Sequence, residues 1–350
     1  MRDCNKAAGS SLSRLLEHPA GHILTCTLVP VAVFGMLLLT EGKSVTETYR
    51  VILNSVFGTR YGFGEVIVHT TYLIFTSLAA ILPYRVGLAN AGGEGQMAIG
   101  ALFTAVAGGS FLHRLIGPLG IPLLLVCGMV GGMVWAGIAI FCRMKLGMNE
   151  TLTTILMNYI STYFISMLLF GVLRDPAGWN YPQTVEIAPQ LRLKTYFGTR
   201  VNAGILLAVL TAIGTWYILR KTKAGFTIRA VGGNPRAALY SGIQVNRVQT
   251  LAFLAAGASA GLAGAILIMG TEGRMRVDAG ATMGFMGFLA AGIVKNDPIL
   301  AIFSSFLIAA LSVAGNAMEI NTGLPAASIQ ILMMMVLLTI MATGGRKNHE

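Results

Sequence analysis

Long apolar stretches with almost no charged side chains dominate this chain and limit what it can fold into. Examples are residues 22–40, 118–142 and 325–343. A helix of about 20 residues crosses the hydrocarbon core of a bilayer, which is roughly 30 Å thick. The stretches lack strand-like alternation, and a helix satisfies its own backbone hydrogen bonds, as lipid requires. We therefore predict an all-α, polytopic membrane helix bundle.

Composition and charge exclude other classes of protein. Charged residues make up 11% of the 350 residues, whereas soluble domains carry about 25%, so too little polar surface remains to cover a water-soluble globule. The net charge of +11 raises the alternative of nucleic-acid binding. Its lysines and arginines lie between the apolar stretches, however, and do not form a soluble basic face with stacking aromatic side chains. We expect no nucleic-acid partner.

The apolar stretches predict about ten transmembrane helices in a single domain at 21–343. An orientation with both termini in the cytoplasm (N-in/C-in) places most of the 25 lysines and arginines inside, as the positive-inside rule requires. A cytoplasmic segment at 1–20 and a cytoplasmic tail at 344–350 complete the chain, and segment 45–62 is amphipathic and expected to lie at the membrane surface. The expected spans are 22–40, 66–84, 87–110, 118–142, 152–172, 202–220, 248–269, 282–294, 298–317 and 325–343.

Two connecting segments are long, an outside loop at 173–201 and an inside loop at 221–247. Neither is large enough to bury a core of its own, so we expect no separate catalytic domain. The five histidines have no metal-ligand spacing, and the four cysteines read as small hydrophobic residues. No nucleotide-binding motif occurs in the sequence. Any ATP that drives this protein must be hydrolysed by another chain.

The first polar segment is Gly87–Gln96, which places Asn90, Glu94 and Gln96 among closely spaced glycines at membrane depth. A carboxylate at that depth is costly and must face a cavity, a partner or the bundle interior. The glycines favour a bent or unwound helix, by which transporters expose backbone groups to a solute. The alternative is a glycine-rich packing helix in which Glu94 has a structural role.

The second polar segment is Asn149–Tyr159. Asn149 is a candidate N-cap, and Glu150 in the first turn suits the helix dipole. Thr154 and Asn158 are four residues apart and therefore share a helix face. Such a polar stripe either binds another helix or lines a pathway. We consider Glu94 and Glu150 structural residues first and pathway residues second.

The third segment is the basic inside loop, in which a Gly-Gly-Asn-Pro turn at 232–235 is followed by a short predicted helix. A solvated charge run explains Lys221 and Lys223. It does not explain the ordered turn with small apolar residues after it, which is typical of a docking surface. Elsewhere, the GxxxG pairs Gly128/Gly132 and Gly257/Gly261 predict close helix packing in lipid.

These three segments resemble, in this order, those of the transmembrane permease subunits of ABC importers. The resemblance covers about residues 65–340 and is to the nucleoside branch of the ribose and branched-chain amino acid permease superfamily. It implies ATP-driven nucleoside uptake by alternating access, with Asn90, Glu94, Gln96, Thr154 and Asn158 as pathway residues. It also implies an ATPase-coupling loop with seven contact residues: Gly225, Arg229, Ala230, Gly232, Asn234, Ala237 and Gly242.

The same resemblance implies the partners and the location of the protein. They are a second permease subunit, an ATPase with two nucleotide-binding domains, an extracytoplasmic substrate-binding lipoprotein and membrane lipid, in the cytoplasmic membrane of a bacterium. The chain itself is expected to bind no metal or cofactor, because ATP and Mg²⁺ belong to the ATPase. It is expected not to be an enzyme.

One departure leaves the cargo open. In the stretch 284–292, an Asp often occupies the position of Met286 in the family, and the loss of that polar group affects the substrate assignment. The alternatives are a simple-sugar permease of the ribose type and, by mechanism, an ion-coupled secondary transporter. The latter usually carries carboxylates deep in several spans, whereas here only Glu94 is clearly within the membrane.

Overall fold

The computed structural model describes residues 32–36, 38–111, 119–323 and the single positions 328, 330, 331, 334 and 335. This part of the chain is helical, and its only β-type pairings are isolated bridges at Gln183–Arg276 and Thr195–Asn202. Its named helices are α1 (Val45–Phe57), α2 (Arg60–Tyr84), α3 (Gly93–Val106), α4 (Gly120–Leu146), α5 (Glu150–Phe170), α6 (Gly204–Lys221), α7 (Lys223–Gly233), α8 (Pro235–Tyr240), α9 (Val245–Leu267), α10 (Met283–Ile293) and α11 (Leu300–Thr322).

Six of the described helices are long and apolar enough to cross a membrane, so the protein is a multi-pass membrane protein. They are α2, α4, α5, α6, α11 and α9 together with its π-helical extension to Glu272. These six correspond to predicted spans at 66–84, 118–142, 152–172, 202–220, 298–317 and 248–269. The predicted span at 325–343, and most of that at 22–40, lie outside the described residues.

Two predicted spans are interrupted rather than continuous. The stretch 87–110 is helical only from Gly93 onward, with a π-turn at Ala107–Phe111. The stretch 282–294 contains only the 11-residue helix α10. In both, the glycines that disfavour a continuous helix lie at or near its N-terminal end.

The chain divides into two compact units, of which the larger comprises Gly64–Ala309. Its core is built on α2 and α9, which run antiparallel. The Tyr72 hydroxyl and Thr271 Oγ1 lie 2.9 Å apart near one end of the pair, and Gln249 Nε2 donates to the Val86 carbonyl at 3.3 Å near the other. Between them, Ser259 Oγ donates to the Phe75 carbonyl at 2.8 Å. Side-chain hydrogen bonds, two of them to main-chain carbonyls, therefore hold the two central helices together.

Glycines bring three helices into backbone contact. A Cβ atom at Gly132 would collide with the carbonyl oxygen of Gly257, and one at Gly261 with that of Gly128. Gly100 of α3 lies against both Gly261 and the carbonyl oxygen of Gly128. The predicted GxxxG contact is thereby confirmed: in lipid, where apolar surface gains little by burial, small residues allow helices to approach closely.

The smaller unit comprises 1–63 and 310–350, part of which is described. Here α1 begins after Ser44, whose hydroxyl accepts a bond from the Glu47 amide at 3.4 Å. Phe34 packs edge-on against Tyr49 of α1, with ring centroids 6.2 Å apart. The amphipathic segment at 45–62 is therefore a capped helix over its first part and the start of α2 over its last residues.

The loop at 173–201 is folded onto the end of α9 and the irregular segment that follows it. The amides of Thr184 and Ile187 donate to the carbonyls of Met275 and Gly273 at 3.0 and 2.9 Å. Glu186 pairs with both Arg192 and Arg274. The loop is thus an ordered cover over one end of the larger unit.

Candidate functional site

The chain leaves the helical conformation between α2 and α3. Residues 88–92 form no helix, Gly87 has a φ of +76°, and Pro83 lies in the last turn of α2. Proline lacks the amide that a continuing helix needs, and glycine adopts positive φ without steric cost. The predicted unwinding of the Gly87–Gln96 segment is therefore confirmed, with its irregular part at 88–92.

Asn90 and Gln96 hold this break from within. Asn90 Nδ2 donates to Gln96 Oε1 at 3.2 Å, and Gln96 Nε2 donates to Asn90 Oδ1 at 3.1 Å. Asn90 also donates to the Ala79 carbonyl of α2 at 3.0 Å and accepts from the Gly92 amide at 3.0 Å. Both side chains are buried, at 2% and 1% exposure. Their polar groups thus bind the chain itself.

Helix α5 holds the break from outside. Thr154 Oγ1 accepts from the Ala91 amide at 3.3 Å, and Asn158 Nδ2 donates to the Ala91 carbonyl at 2.9 Å. Asn158 Oδ1 accepts from the Gly95 amide at 2.9 Å. The Thr154/Asn158 stripe therefore contacts another segment of the chain, one of the two roles open to it from the sequence, and it satisfies backbone groups that the broken helix leaves unpaired.

The cap and first turn of α5 match the sequence expectation. Asn149 Oδ1 accepts from the Leu152 amide at 3.1 Å. Glu150 forms an ion pair with Arg143 at the end of α4. The prediction that Asn149 is an N-cap is confirmed, and Glu150 joins two consecutive helices.

A second interrupted helix meets the first at the same place. Residues 273–282 are irregular, and α10 begins at Met283. Gly284 lies directly on the backbone of Glu94, where a Cβ atom would collide with the Glu94 amide nitrogen. Thr76 Oγ1 of α2 donates to the Met283 carbonyl at 3.2 Å. The N-termini of α3 and α10 therefore adjoin beside the middle of α2.

The two interrupted helices lead away from this point in opposite directions. At the far end of α3, Gly108 lies against Ile187 of the 173–201 loop. Beyond α10, the Asn296 carbonyl accepts from Arg85 at 2.7 Å, and Asp297 pairs with Arg220 at 3.3 Å. A long helix followed by a break and a half-length helix therefore occurs twice, as α2 with α3 and as α9 with α10, and the two copies run in opposite directions. Transporters with such inverted pairs place their solute sites at the junction.

Glu94 is the acidic residue at this junction. It lies in the first turn of α3, is half-buried, and interacts electrostatically with the backbone of Thr282 and Phe285 at the start of α10. Helix N-termini carry partial positive charge and favour an anion. The backbone at the start of α10 therefore offsets part of the cost of a carboxylate in this half-buried position.

Sequence reasoning did not place α10 at the junction. The available signal was the glycine interruption of the predicted eighth span. Met286, at the position where the family often has Asp, is buried at 6% exposure in the first turns of α10. Trp135 of α4 carried no sequence signal. Its indole nitrogen is buried and has no hydrogen-bond partner among the described residues. It lies next to Gly95, as do the hydroxyl oxygen of Ser161 and the side-chain oxygen of Asn158.

The predicted coupling loop forms two helices, α7 and α8. Thr222 caps α7 by accepting from the Gly225 amide at 3.2 Å, and Asn234 caps α8 by accepting from the amides of Arg236 and Ala237 at 3.0 and 3.1 Å. Gly242, with a φ of +81°, ends the segment. The Asn-Pro pair therefore separates the two helices, because Asn234 caps the second and Pro235 is its first residue.

This helix pair has an inner and an outer face. On the inner face, Gly225 lies against the last turn of α6 and Gly232 against the Arg85 carbonyl at the end of α2. The outer face exposes Phe226, Leu239 and Tyr240 at 66%, 62% and 91%. Of the seven predicted contact residues, Arg229, Asn234 and Ala237 are also exposed, whereas Ala230 is partly buried. An exposed apolar patch beside basic side chains marks an interaction surface.

A multi-pass helical domain with two interrupted helices that meet inside it, and a pair of short helices with an exposed apolar and basic face at one end, is typical of a membrane permease. The chain belongs to the family of permease components of the branched-chain amino acid transport system, whose model matches residues 62–341. This confirms the resemblance inferred from the sequence over about 65–340. The family consists of transport components and not enzymes.

Several characterised proteins are similar over most of their length. A glucose ABC transporter permease of Haloferax volcanii is 31% identical, covering 92% of this chain and 87% of its own. A guanosine ABC transporter permease of Bacillus subtilis is 30% identical, covering 91% of each chain. A nucleoside ABC transporter permease of Lactococcus lactis is 30% identical, covering 87% of this chain and 88% of its own.

Proposed function

We propose that this protein is the transmembrane permease subunit of an ABC importer that takes up nucleosides by alternating access. The observation that carries the proposal is the junction of two inverted, interrupted helices in a chain that is similar, over 91% and 87% of its length, to permeases named for guanosine and nucleosides. The similarity to a glucose permease at 31% identity keeps a simple sugar as the second candidate cargo.

The proposed setting is the cytoplasmic membrane of a bacterium, with about ten spans and both termini inside. In this orientation α7 and α8 are cytoplasmic, which agrees with their basic residues. The single transmembrane domain at 21–343 and the short cytoplasmic ends at 1–20 and 344–350 are part of the same proposal.

The α7–α8 pair is proposed to dock on an ATPase with two nucleotide-binding domains, which would hold ATP and Mg²⁺. Phe226 and Tyr240 would enter the ATPase surface, because large apolar and aromatic side chains anchor interfaces. The contact between Gly232 and Arg85 would transmit the movement of the ATPase to the junction, since Arg85 begins the segment that runs through the break at 88–92. A second permease and an extracytoplasmic binding lipoprotein would complete the importer.

Asn90, Gln96, Thr154 and Asn158 stay predictions as pathway residues, and their bonding supports a more specific role. Because Asn90, Thr154 and Asn158 bind the main chain around the break and Gln96 binds Asn90, they would hold the junction in one of two arrangements. A change of their partners as the ATPase closes would move the ends of α3 and α10. Glu94, between the two N-termini, would lie beside the solute when this junction opens.

The exposed surface of α5 supports a path next to this network. One stripe carries Leu156, Ile160, Phe164 and Met167, which suits lipid. The adjacent stripe carries hydroxyls on Tyr159, Thr162, Tyr163 and Ser166, with the two tyrosines 63% and 73% exposed near the middle of a span. Tyrosines belong at the interfaces of a bilayer rather than its centre. We propose that this hydroxyl stripe faces the aqueous path and offers its rings to nucleobases.

The test is uptake into proteoliposomes that contain this chain with its partner permease, ATPase and binding protein. ATP-dependent accumulation of labelled guanosine, suppressed by other nucleosides and not by glucose, is expected. Accumulation of labelled glucose without guanosine would move the cargo to sugars and keep the ABC mechanism. Uptake driven by an ion gradient in liposomes that contain this chain alone would refute the ABC assignment.

A further inference from the structure

A separate cavity of about 530 Å³ lies between α2, α6, α7 and α9, away from the junction. Its walls are almost wholly apolar and include Leu78, Leu82, Ile218, Ile228 and Leu251. Cavities of this size accommodate a substantial ligand, and their lining decides its chemistry.

The lining excludes a polar solute. Of its four hydroxyl side chains, Ser259 donates to the Phe75 carbonyl, Thr211 to the Ala208 carbonyl and Thr227 to the Lys223 carbonyl. A nucleoside or sugar needs several polar groups aimed at it. Three of the four hydroxyl protons serve the helices themselves, which leaves only that of Thr215 for a ligand. One hydroxyl is too few to bind a nucleoside or a sugar, so the ligand that fits is a hydrocarbon chain.

One end of the cavity carries positive charge. Leu219 and Ala224 both line it, and the turn between them contains Lys221 and Lys223, which are exposed. Arg220, in the same turn, is paired with Asp297 and lies over the Trp216 ring at 5.7 Å. In this turn the two lysines are therefore the cations available to a ligand.

The cavity opens to the surface of the helix bundle between α6 and α9. Helix α6 is one of the candidate spans, and Ile218 of α6 and Leu251 of α9, which both line the cavity, are 47% and 58% exposed. An acyl chain can enter beside α6 without leaving the bilayer, while its headgroup stays level with the α6–α7 turn. Basic side chains next to gaps between membrane helices attract anionic headgroups.

We propose that this cavity binds an anionic phospholipid, with an acyl chain between α6 and α9 and the phosphate on Lys221 and Lys223. Ala224 and Ile228 of α7 form part of the wall, so the bound chain supports α7 from behind. If α7 couples to an ATPase, as the proposed function holds, coupling requires anionic lipid. The binding itself does not depend on that function.

The experiment is native mass spectrometry of the purified full chain in detergent. Phosphatidylglycerol and phosphatidylcholine with identical acyl chains are the two probes. Retention of phosphatidylglycerol is expected to exceed that of phosphatidylcholine, and Lys221→Gln/Lys223→Gln is expected to lower it by about fivefold per lysine. Ala255→Trp, which places a large ring in the cavity, is expected to abolish retention of both lipids.

Two matched controls separate the site from general effects. Lys145→Gln removes an exposed cation at the end of α4, and Leu206→Trp adds an indole on the exposed face of α6. Both variants should leave the retention of phosphatidylglycerol unchanged. Size-exclusion elution and thermal unfolding of every variant check that it is folded. Equal retention of the two lipids, or retention that survives either test variant, overturns the proposal. None of these outcomes depends on transport.

Discussion

Gly232 of α7 packs directly on the main chain of Arg85 at the end of α2, leaving no room for a Cβ atom beside the Arg85 carbonyl oxygen. Arg85 in turn donates to the Asn296 carbonyl beyond α10 at 2.7 Å. Helix α7 thus touches the start of the segment that leads into the first break, and through Arg85 it is connected to the end of the second interrupted helix.

Gly232→Ala is therefore expected to lower ATP-driven uptake at least tenfold, because α7 must move away from α2. Overpacking of this kind costs about 1–3 kcal/mol. The matched control is Gly233→Ala, since a Cβ atom there meets nothing within 4 Å. Uptake rates in proteoliposomes decide the question, and equal rates for the two variants would show that this contact does not carry coupling.

The α5 clamp predicts a loss of stability. Asn158→Leu removes the bonds to the Ala91 carbonyl and the Gly95 amide, two backbone groups of the break. Leaving such groups unsatisfied is expected to destabilise the protein by about 2 kcal/mol or more. Thermal unfolding in detergent measures it, with Asn246→Leu at an exposed position of α9 as control. An unchanged midpoint for Asn158→Leu would contradict the clamp.

The hydroxyl stripe on α5 predicts an effect on cargo affinity. Replacing both tyrosines, as Tyr159→Leu/Tyr163→Leu, is expected to raise the KM for nucleoside uptake about tenfold, because stacking on an aromatic ring contributes about 1–3 kcal/mol per base. ATPase association should stay intact. Met167→Leu, on the apolar stripe of the same helix and 61% exposed, should leave KM unchanged. A larger effect from Met167→Leu would place the path on the other side of α5.

The outer face of the α7–α8 pair predicts a variant that loses ATPase binding but still folds. Tyr240 is 91% exposed at the end of α8, so Tyr240→Ala costs the isolated chain little. In the complex it would remove an aromatic anchor worth about 2 kcal/mol or more. Co-purification of the ATPase with the permease is the measurement, with Tyr217→Ala on α6 as control. Full ATPase recovery with Tyr240→Ala would exclude it as an anchor.

Local features were predictable from the sequence because each depends on a short segment. Hydrophobicity over about 20 residues reflects the transfer free energy of that segment alone, so six spans fall where expected. Asn149 and Asn234 cap helices because their side chains bond amides two or three residues away. The GxxxG pairs meet because small residues are what lipid-embedded helices need at a contact.

Only the tertiary structure decided which polar groups face one another. Asn158 and Ala91 form a hydrogen bond although they are 67 residues apart in the sequence. Gly284 packs on Glu94 although the two residues are even further apart in the sequence. Nothing in the local pattern distinguishes an amide that bonds a distant backbone from one that lines a path, because both satisfy a polar group in the membrane interior. The sequence by itself determined a helical membrane protein and the break in the Gly87–Gln96 segment. Packing across long sequence separations determined that the two breaks meet, because a break is stable only where other helices satisfy its exposed backbone groups.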